Sequence, residues 1–256
     1  MVANRESVDS SKWNDKVLDG VYRAFVYVAV PRFNQLRSCS PSGQSLRYTW
    51  PLFLKDRGGT NEFWSKLKRR IFHRLGIKDV LESRQKGKLA HPTSLFYIPK
   101  EFRLNGKPLV EDGSSELCHL SFLYDSEIMN TLPELKKMGV QEMEFSHFYQ
   151  ELKDFINNFG TSFLNGQSKD WHSKVAHLFC RYSNKRQAAN IRLIPLRDGR
   201  WVEPSQDNLF LEGETIDAVV PNGLAICLVD QEACQDTNRM AFFQRVGIKK
   251  CDRAEV

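Results

Sequence analysis

His172 and His177 are the pair of residues in this chain that most resembles a metal site. They are five residues apart on a predicted helix, so their side chains point about 140° away from each other. A helical zinc pair needs two histidines four residues apart on one face. The spacing therefore argues against a metal site, and we predict none.

Glu151 and Asp154 are a second candidate, because carboxylates three residues apart on a helix can share a face and act together as acid and base. Most such pairs are solvated surface carboxylates, and we favour that interpretation. The sequence also contains no Gly-x-Ser-x-Gly elbow and no glycine-rich phosphate loop. We therefore expect no enzymatic activity carried by this chain alone, and no cofactor bound by it.

The six cysteines are scattered, without any Cys-x-x-Cys spacing. Cys227 and Cys234 are the closest pair and have no histidine nearby, so the spacing of a zinc site is absent. The simplest interpretation is that the cysteines are small buried or surface thiols of a reducing compartment.

A basic run on the helix predicted after residue 60 allows two interpretations. Its members are Lys66, Lys68, Arg69, Arg70 and Arg74, with His73 beside them. They could contact phosphates while Trp64 and Phe72 stack on bases, as in a nucleic-acid interface. We favour a solvated face, because the apolar residues Phe63, Leu67, Ile71 and Leu75 recur at helical spacing and would face a core.

The 256 residues are 41% hydrophobic and 27% charged, which is ordinary for a globular protein, and the net charge is +6. No apolar run is long enough to cross a bilayer, and residues 1–11 lack the apolar region of a signal peptide. We expect a soluble intracellular protein, cytoplasmic or nuclear, with no membrane association.

The segment 191–210 organises the rest of the chain, because it predicts a β-hairpin. Asp198-Gly199 stands between two β-favouring runs, and glycine supplies the positive φ that such a turn needs. A weaker copy surrounds Gly87, 112 residues earlier, and Gly139 matches Gly247 at an offset of 108. The similar offsets indicate a diverged duplication, with chance similarity as the alternative.

Further patterns predict the remaining elements. Trp13, Val17, Val21, Phe25 and Val28 form an apolar stripe on an N-terminal helix that should end at Pro31. Glycines 76, 139 and 247 are each followed by an apolar residue, which is typical of helices ending in a left-handed glycine. A further helix should run over 126–138, and an amphipathic one should end near Gly160.

These elements predict an α+β protein with an N-terminal helical segment followed by two diverged helix–hairpin–strand–helix units. We expect a helical segment and linker at 1–59, unit one at 60–141, a connecting helix at 142–167 and unit two at 168–256.

Several motifs together resemble the sacsin-like proteins found in fungi. They are NRESVDSSKWN (4–14), LRYTWPLFL (46–54), VLESRQKGKLAHPTSLFYIP (80–99), LSFLYDSE (120–127), WHSKVAHLF (171–179) and LIPLRDGRWV (193–202). The resemblance covers nearly the whole chain and implies the region downstream of a GHKL-type ATPase domain, the type shared with the large heat-shock chaperone. That ATPase domain, with its Glu-x-x-x-Asn and Asp-x-Gly-x-Gly motifs, is missing here, so ATP and Mg²⁺ are implied only for the missing domain and we expect a fragment.

Arg5 is the one site residue that the resemblance suggests. Asn4-Arg5-Glu6 is similar to the Ser-Arg-Glu of the large heat-shock chaperone's middle domain. In that protein the arginine reaches the γ-phosphate of ATP bound by the neighbouring domain. A guanidinium fork suits phosphate oxygens. The alternative is an ordinary surface arginine near a helix start.

The resemblance implies a non-catalytic scaffold or partner-binding region of a chaperone-type ATPase, with protein partners or clients and a role in protein quality control. A basic nucleic-acid-binding module is the alternative. A third interpretation, a remnant that no longer folds alone, predicts exposed apolar faces.

Overall fold

The structure is a computed structural model and describes residues 12–36, 45–55, 62–85, 88–111, 117–125, 131–205, 208–211 and 226–250. The chain forms two compact units of similar length, each built from two separate segments. Unit 1 takes Met1–Ile98 and Glu116–Met143, and unit 2 takes Pro99–Ser115 and Glu144–Val256. The segment 99–115, inside the range expected for unit one, is therefore part of unit 2.

The secondary structure is mixed, in agreement with the predicted α+β class. The α-helices are α1 Lys12–Ala24, α2 Val30–Gln35, α3 Leu46–Thr49, α4 Glu62–Gly76, α5 Leu132–Met138, α6 Phe145–Asn165, α7 Lys169–Tyr182, α8 Lys185–Ala189, α9 Gln231–Gln235 and α10 Thr237–Arg245. The strands are β1 Leu81–Glu82, β2 Leu89–Ala90, β3 Leu95–Tyr97, β4 Arg103–Leu104, β5 Lys107–Pro108, β6 Cys118–His119, β7 Gln141–Glu142, β8 Ile194–Pro195, β9 Trp201–Val202, β10 Leu209–Leu211, β11 Cys227–Leu228 and β12 Lys249–Lys250.

The N-terminal helical segment continues past Pro31, so the prediction that it ends there is wrong. A π-helical turn, Phe25–Ala29, joins α1 to α2, and the Val30 N–H bonds to the Phe25 carbonyl five residues back. Pro31 then lies in the first turn of α2, where a missing N–H and a fixed φ are tolerated. The widened turn therefore lets the segment pass the proline.

Both units contain the same three-stranded parallel sheet. In unit 1 the central strand β3 pairs with β6 and β7, and in unit 2 the central strand β10 pairs with β11 and β12. The registers agree, since Leu95 lies opposite Cys118 and Leu209 lies opposite Cys227. An antiparallel hairpin precedes each central strand, β1–β2 in unit 1 and β8–β9 in unit 2. The two units thus share one strand topology.

A glycine with a positive φ ends the helix before the last strand of each unit, as the sequence predicts. Gly139 follows α5 with φ 108°, and Gly247 follows α10 with φ 86°. The prediction for Gly76 is wrong, because Gly76 is the last residue of α4 and its φ is not positive. Glycine is needed there for packing, since a Cβ at Gly76 would lie 2.7 Å from the Met138 carbonyl oxygen.

The helix end predicted near Gly160 coincides with a break in α6. Gly160 has non-helical angles, φ 60° and ψ −145°, and a second helical stretch continues from there to Asn165. The helix expected over 126–138 is described from Leu132, and residues 126–130 lie outside the described residues.

Each unit has its own apolar core. In unit 1 the fully buried side chains include Trp50, Leu75, Leu81, Leu95 and Leu135, contributed by helices and sheet alike. In unit 2 the helix pair α7–α10 is packed through Phe179 and Phe242, whose ring centroids are 5.7 Å apart. Burial of such apolar surface is the main source of folding stability.

The segment 99–115 contributes a β-hairpin to unit 2. β4 and β5 are joined by Asn105-Gly106, with φ values of 52° and 78°. Both positive values fit a type I′ turn, for which Asn-Gly is the strongest sequence signal. The segment is held by the Trp171 indole, whose Nε1 donates to the Leu109 carbonyl oxygen at 2.7 Å.

Within the part of the chain that the structure describes, we find no helix that combines the length and the apolar character needed to cross a membrane.

Candidate functional site

Arg5, the site residue suggested by the resemblance, lies outside the described residues, as do its neighbours Asn4 and Glu6. Its contact with a γ-phosphate therefore stays a prediction.

His172 and His177 do not form a pair. His177 is exposed, while His172 stacks on Trp201 at 4.9 Å between ring centroids and donates from Nε2 to the Leu164 carbonyl oxygen at 3.0 Å. Burial, followed by the charge of Arg239, lowers the pKa of His172 to about 4. His172 is thus a neutral packing residue. Across the described ranges there is no group of three or more His, Cys, Asp or Glu side chains that could hold a metal ion.

The carboxylates Glu151 and Asp154 have different surroundings. Glu151 is 3% exposed, so the expectation of a solvated pair is wrong for this residue. Glu151 is on the core side of α6 next to Leu152, whereas Asp154 accepts a hydrogen bond from Gln150 at 2.9 Å. The sequence spacing did not reveal this difference, because it shows which residues share a face but not which face is buried.

The described cysteines, Cys118, Cys180, Cys227 and Cys234, are free thiols and half-buried. Burial raises the pKa of the Cys180 thiol above its ordinary value, which makes that thiol a weaker nucleophile. Cys39 and Cys251 lie outside the described residues. The described cysteines fit the structural interpretation.

A buried polar cluster in unit 1 was not found from the sequence. The Glu82 carboxylate accepts from the Tyr48 hydroxyl at 2.5 Å and forms an ion pair with Arg47 at 3.1 Å. The Glu82 N–H donates to the Tyr124 hydroxyl at 3.1 Å. Burial, together with the hydrogen bond to Glu82, raises the pKa of Tyr48 to about 12. The cluster ties α3 to β1, and the position that corresponds to Glu82 in unit 2 is the apolar Pro195.

Phe25, one of the five residues of the predicted apolar stripe, packs against the core of unit 1, with its ring centroid 6.4 Å from that of Trp50. The other four residues face solvent. We call these four the outer face of α1: Trp13 is 72% exposed, Val17 39%, Val21 46%, and Val28, just beyond in the π-helical turn, 67%. The core of unit 1 is met instead by Leu18 and other residues on the opposite side of the helical segment. Isolated exposed apolar residues are ordinary, but a contiguous row of them is typical of an interaction site.

Small residues interrupt this row. Gly20 and Ala24 are exposed between the larger side chains, and a Cβ at Gly20 would meet nothing within 4 Å. With rise of about 1.5 Å per residue, the row extends over roughly 20 Å, and a partner backbone could approach it closely at its centre.

A shallow groove adjoins the outer face where the helix becomes π-helical. Tyr27, exposed on the π-helical turn, accepts a hydrogen bond from Arg74 Nε at 3.0 Å and lies under Lys78, whose Nζ is 4.0 Å from the ring centroid. The bond from Arg74 lowers the pKa of Tyr27. π-Helical turns are rare and are frequently found at functional sites.

The basic run on α4 faces solvent, as the favoured interpretation predicts. Lys66, Arg69, Arg70 and His73 are exposed, and Leu67, Ile71 and Leu75 are buried. Lys66 forms an exposed ion pair with Asp15 of α1 at 3.5 Å, so part of its charge is already balanced.

No protein-family model, no curated protein and no solved structure matches the chain. The resemblance to sacsin-like proteins therefore stays a prediction.

Proposed function

We propose that this chain is a non-catalytic, partner-binding region of a sacsin-like, chaperone-type ATPase. The observation that carries the proposal is the outer face of α1, a row of large apolar side chains that no described part of the chain covers. Burying one such side chain stabilises a complex by about 1.5–3 kcal/mol, so leaving a row of them exposed is costly unless a partner covers them.

The partner that we propose for the outer face is the ATPase domain implied by the resemblance. Arg5 stands seven residues before α1 begins. An α1 docked on that domain would bring the segment with Arg5 next to the bound nucleotide. In a full-length relative, Arg5 would then stabilise charge on the γ-phosphate during hydrolysis.

Docking is tested by titrating the chain with a separately produced GHKL ATPase domain of a sacsin-like protein in a calorimeter. The double variant Val17→Ser/Val21→Ser is expected to bind tenfold more weakly or worse, because two apolar contacts are lost. Leu123→Ser is the matched control, since Leu123 is also exposed in unit 1, at 61%, and is not part of the outer face of α1. Equal binding by wild type and the double variant contradicts the proposal.

The role of Arg5 is tested separately, by ATP turnover of a full-length relative carrying Arg5→Ala. A loss of turnover with unchanged nucleotide binding is expected, and unchanged turnover would rule the role out.

The exposed basic side chains of α4 favour a second candidate function, a nucleic-acid-binding module. If four of them contact phosphates, affinity for duplex DNA should fall roughly 100-fold between 50 and 200 mM salt. Arg69→Glu/Arg70→Glu should abolish that binding and leave ATPase-domain binding intact. A flat salt dependence removes this candidate.

We propose an intracellular location, cytoplasmic or nuclear, because the described cysteines are free thiols, as is usual in a reducing compartment.

A further inference from the structure

Unit 2 contains a cavity that the proposed function does not use. It lies between the β4–β5 hairpin and the turn that joins α6 to α7, and its volume is about 380 Å³. That size is within the range of small-molecule sites. We call it the hairpin cavity.

The floor of the hairpin cavity is aromatic. Phe155 and Phe163 have ring centroids 4.6 Å apart, and Phe163 and Trp171 have centroids 5.5 Å apart at an interplanar angle of 88°. The rings are in contact with each other, so nothing fits between them, and they form one continuous apolar surface. A ligand ring would pack on that surface in the offset or edge-on geometry that aromatic groups prefer.

The floor is fixed in place by hydrogen bonding. Trp171 is 4% exposed, and its Nε1 donates to the carbonyl oxygen of Leu109, which also lines the cavity. The Ser168 hydroxyl accepts from the Trp171 backbone N–H at 3.2 Å and caps α7. A rigid floor costs a ligand little ordering free energy on binding.

The rim of the hairpin cavity carries one charge of each sign. Lys107 is on β5 and Glu111 follows shortly after it, and both line the cavity and are exposed. Neither has an ion-pair partner in the described part of the chain. The amide side chains of Asn105 and Gln167 complete the polar part of the rim.

We propose that the hairpin cavity binds a free aromatic α-amino acid. The ligand ring packs on Phe155, Phe163 and Trp171, its carboxylate faces Lys107 and its ammonium group faces Glu111. Two opposite charges above an apolar floor complement a zwitterion that carries a ring. A purely apolar ligand would leave both charges unused, and Glu111 would repel a ligand that is only anionic.

The proposal does not depend on the proposed function, because residues of unit 2 alone build the cavity.

The test is ligand-observed NMR of the full chain with L-phenylalanine and three analogues that each lack one feature. Phenethylamine lacks the carboxylate, 3-phenylpropionate lacks the ammonium group and L-alanine lacks the ring. L-Phenylalanine should bind most tightly. Each loss of charge should weaken binding roughly two- to fivefold, as for exposed ion pairs, and loss of the ring by at least about tenfold.

Two variants assign the charges. Lys107→Met should remove the preference for L-phenylalanine over phenethylamine and keep the preference over 3-phenylpropionate, and Glu111→Gln should do the reverse. Both side chains are exposed, so folding should be unaffected. Lys185→Met, at an exposed lysine of α8 in the same unit, is the control and should change nothing.

Absence of saturable L-phenylalanine binding overturns the proposal. Equal binding of L-phenylalanine and the analogues, or binding that neither rim variant alters, overturns it as well. Val17→Ser/Val21→Ser should leave L-phenylalanine binding unchanged. The docking proposal for the outer face of α1 and the ligand proposal for the hairpin cavity can therefore be refuted independently.

Discussion

Gly139→Ala is expected to destabilise unit 1 far more than Gly247→Ala destabilises unit 2, although the two glycines occupy equivalent positions. Both have a positive φ, 108° and 86°, so an alanine at either position is strained by roughly 1–2 kcal/mol. Their surroundings differ: a Cβ at Gly139 would lie 2.6 Å from Thr93 Cγ2, and a Cβ at Gly247 would meet nothing within 4 Å. Overpacking of this kind costs about 1–3 kcal/mol more.

The assay is urea unfolding followed by circular dichroism, analysed for two transitions where the two units unfold separately. Gly139→Ala should lower the free energy of unfolding of unit 1 by about 2–5 kcal/mol, and Gly247→Ala that of unit 2 by about 1–2 kcal/mol.

Thr93→Ser provides a matched rescue. It removes the Cγ2 methyl group that an alanine at position 139 would clash with, and it keeps the hydroxyl that donates to the Gly76 carbonyl oxygen at 3.1 Å. In the Thr93→Ser background, Gly139→Ala should therefore cost about as much as Gly247→Ala. The reasoning is refuted if the two alanine variants are equally destabilising in the wild-type background, or if Thr93→Ser leaves the difference intact.

Three further predictions concern hydrogen-bonded aromatic groups. His172 has a lowered pKa, so its contribution to the stability of unit 2 is present above pH 6.5 and is lost as the pH falls toward 4, by up to about 3 kcal/mol. His172→Phe should flatten that part of the pH–stability curve, and His177→Phe on the same helix should not. Tyr48 has a raised pKa, so its contribution to the stability of unit 1 is present below pH 10 and is lost as the pH rises toward 12. Tyr48→Phe should lower the free energy of unfolding by about 1–2 kcal/mol near neutral pH and remove that loss at alkaline pH. If Tyr48→Phe is as stable as wild type, the hydrogen bond from Tyr48 to Glu82 makes no net contribution to stability. Trp171→Phe should cost about 1–3 kcal/mol, because the buried Leu109 carbonyl oxygen loses its hydrogen bond. The cost is measured as a shift of the urea midpoint, and Trp13→Phe on the exposed face should shift nothing.

Local signals in the sequence predicted the repeated parts of the fold well. Asp198-Gly199 specified the β8–β9 hairpin, because the turn needs a positive φ and the flanking runs favour strands. The left-handed ends after α5 and α10 follow from glycine in the same way. Such features depend on a few neighbouring residues, so a single sequence suffices to identify them.

Features that depend on distant parts of the chain were missed. Nothing local distinguishes Gly76, needed for its close approach to Met138, from the glycines with positive φ. The stripe of α1 has the spacing of a core-facing helix, yet Leu18 on the opposite side is buried and Trp13 is exposed. The hairpin cavity joins residues about 60 positions apart, and no short window contains both its floor and its rim.

The path of segment 99–115 has a consequence for how the protein is inherited and synthesised. The β4–β5 hairpin of unit 2 belongs to segment 99–115, which lies in the sequence between the two segments of unit 1. A single cut at 143/144 would leave unit 2 without the Leu109 carbonyl that Trp171 requires. During synthesis this hairpin leaves the ribosome before α6 and α7, so it cannot pack until those helices have been made. The two units are therefore interlaced along the chain, and recombination at one point cannot exchange one of them intact.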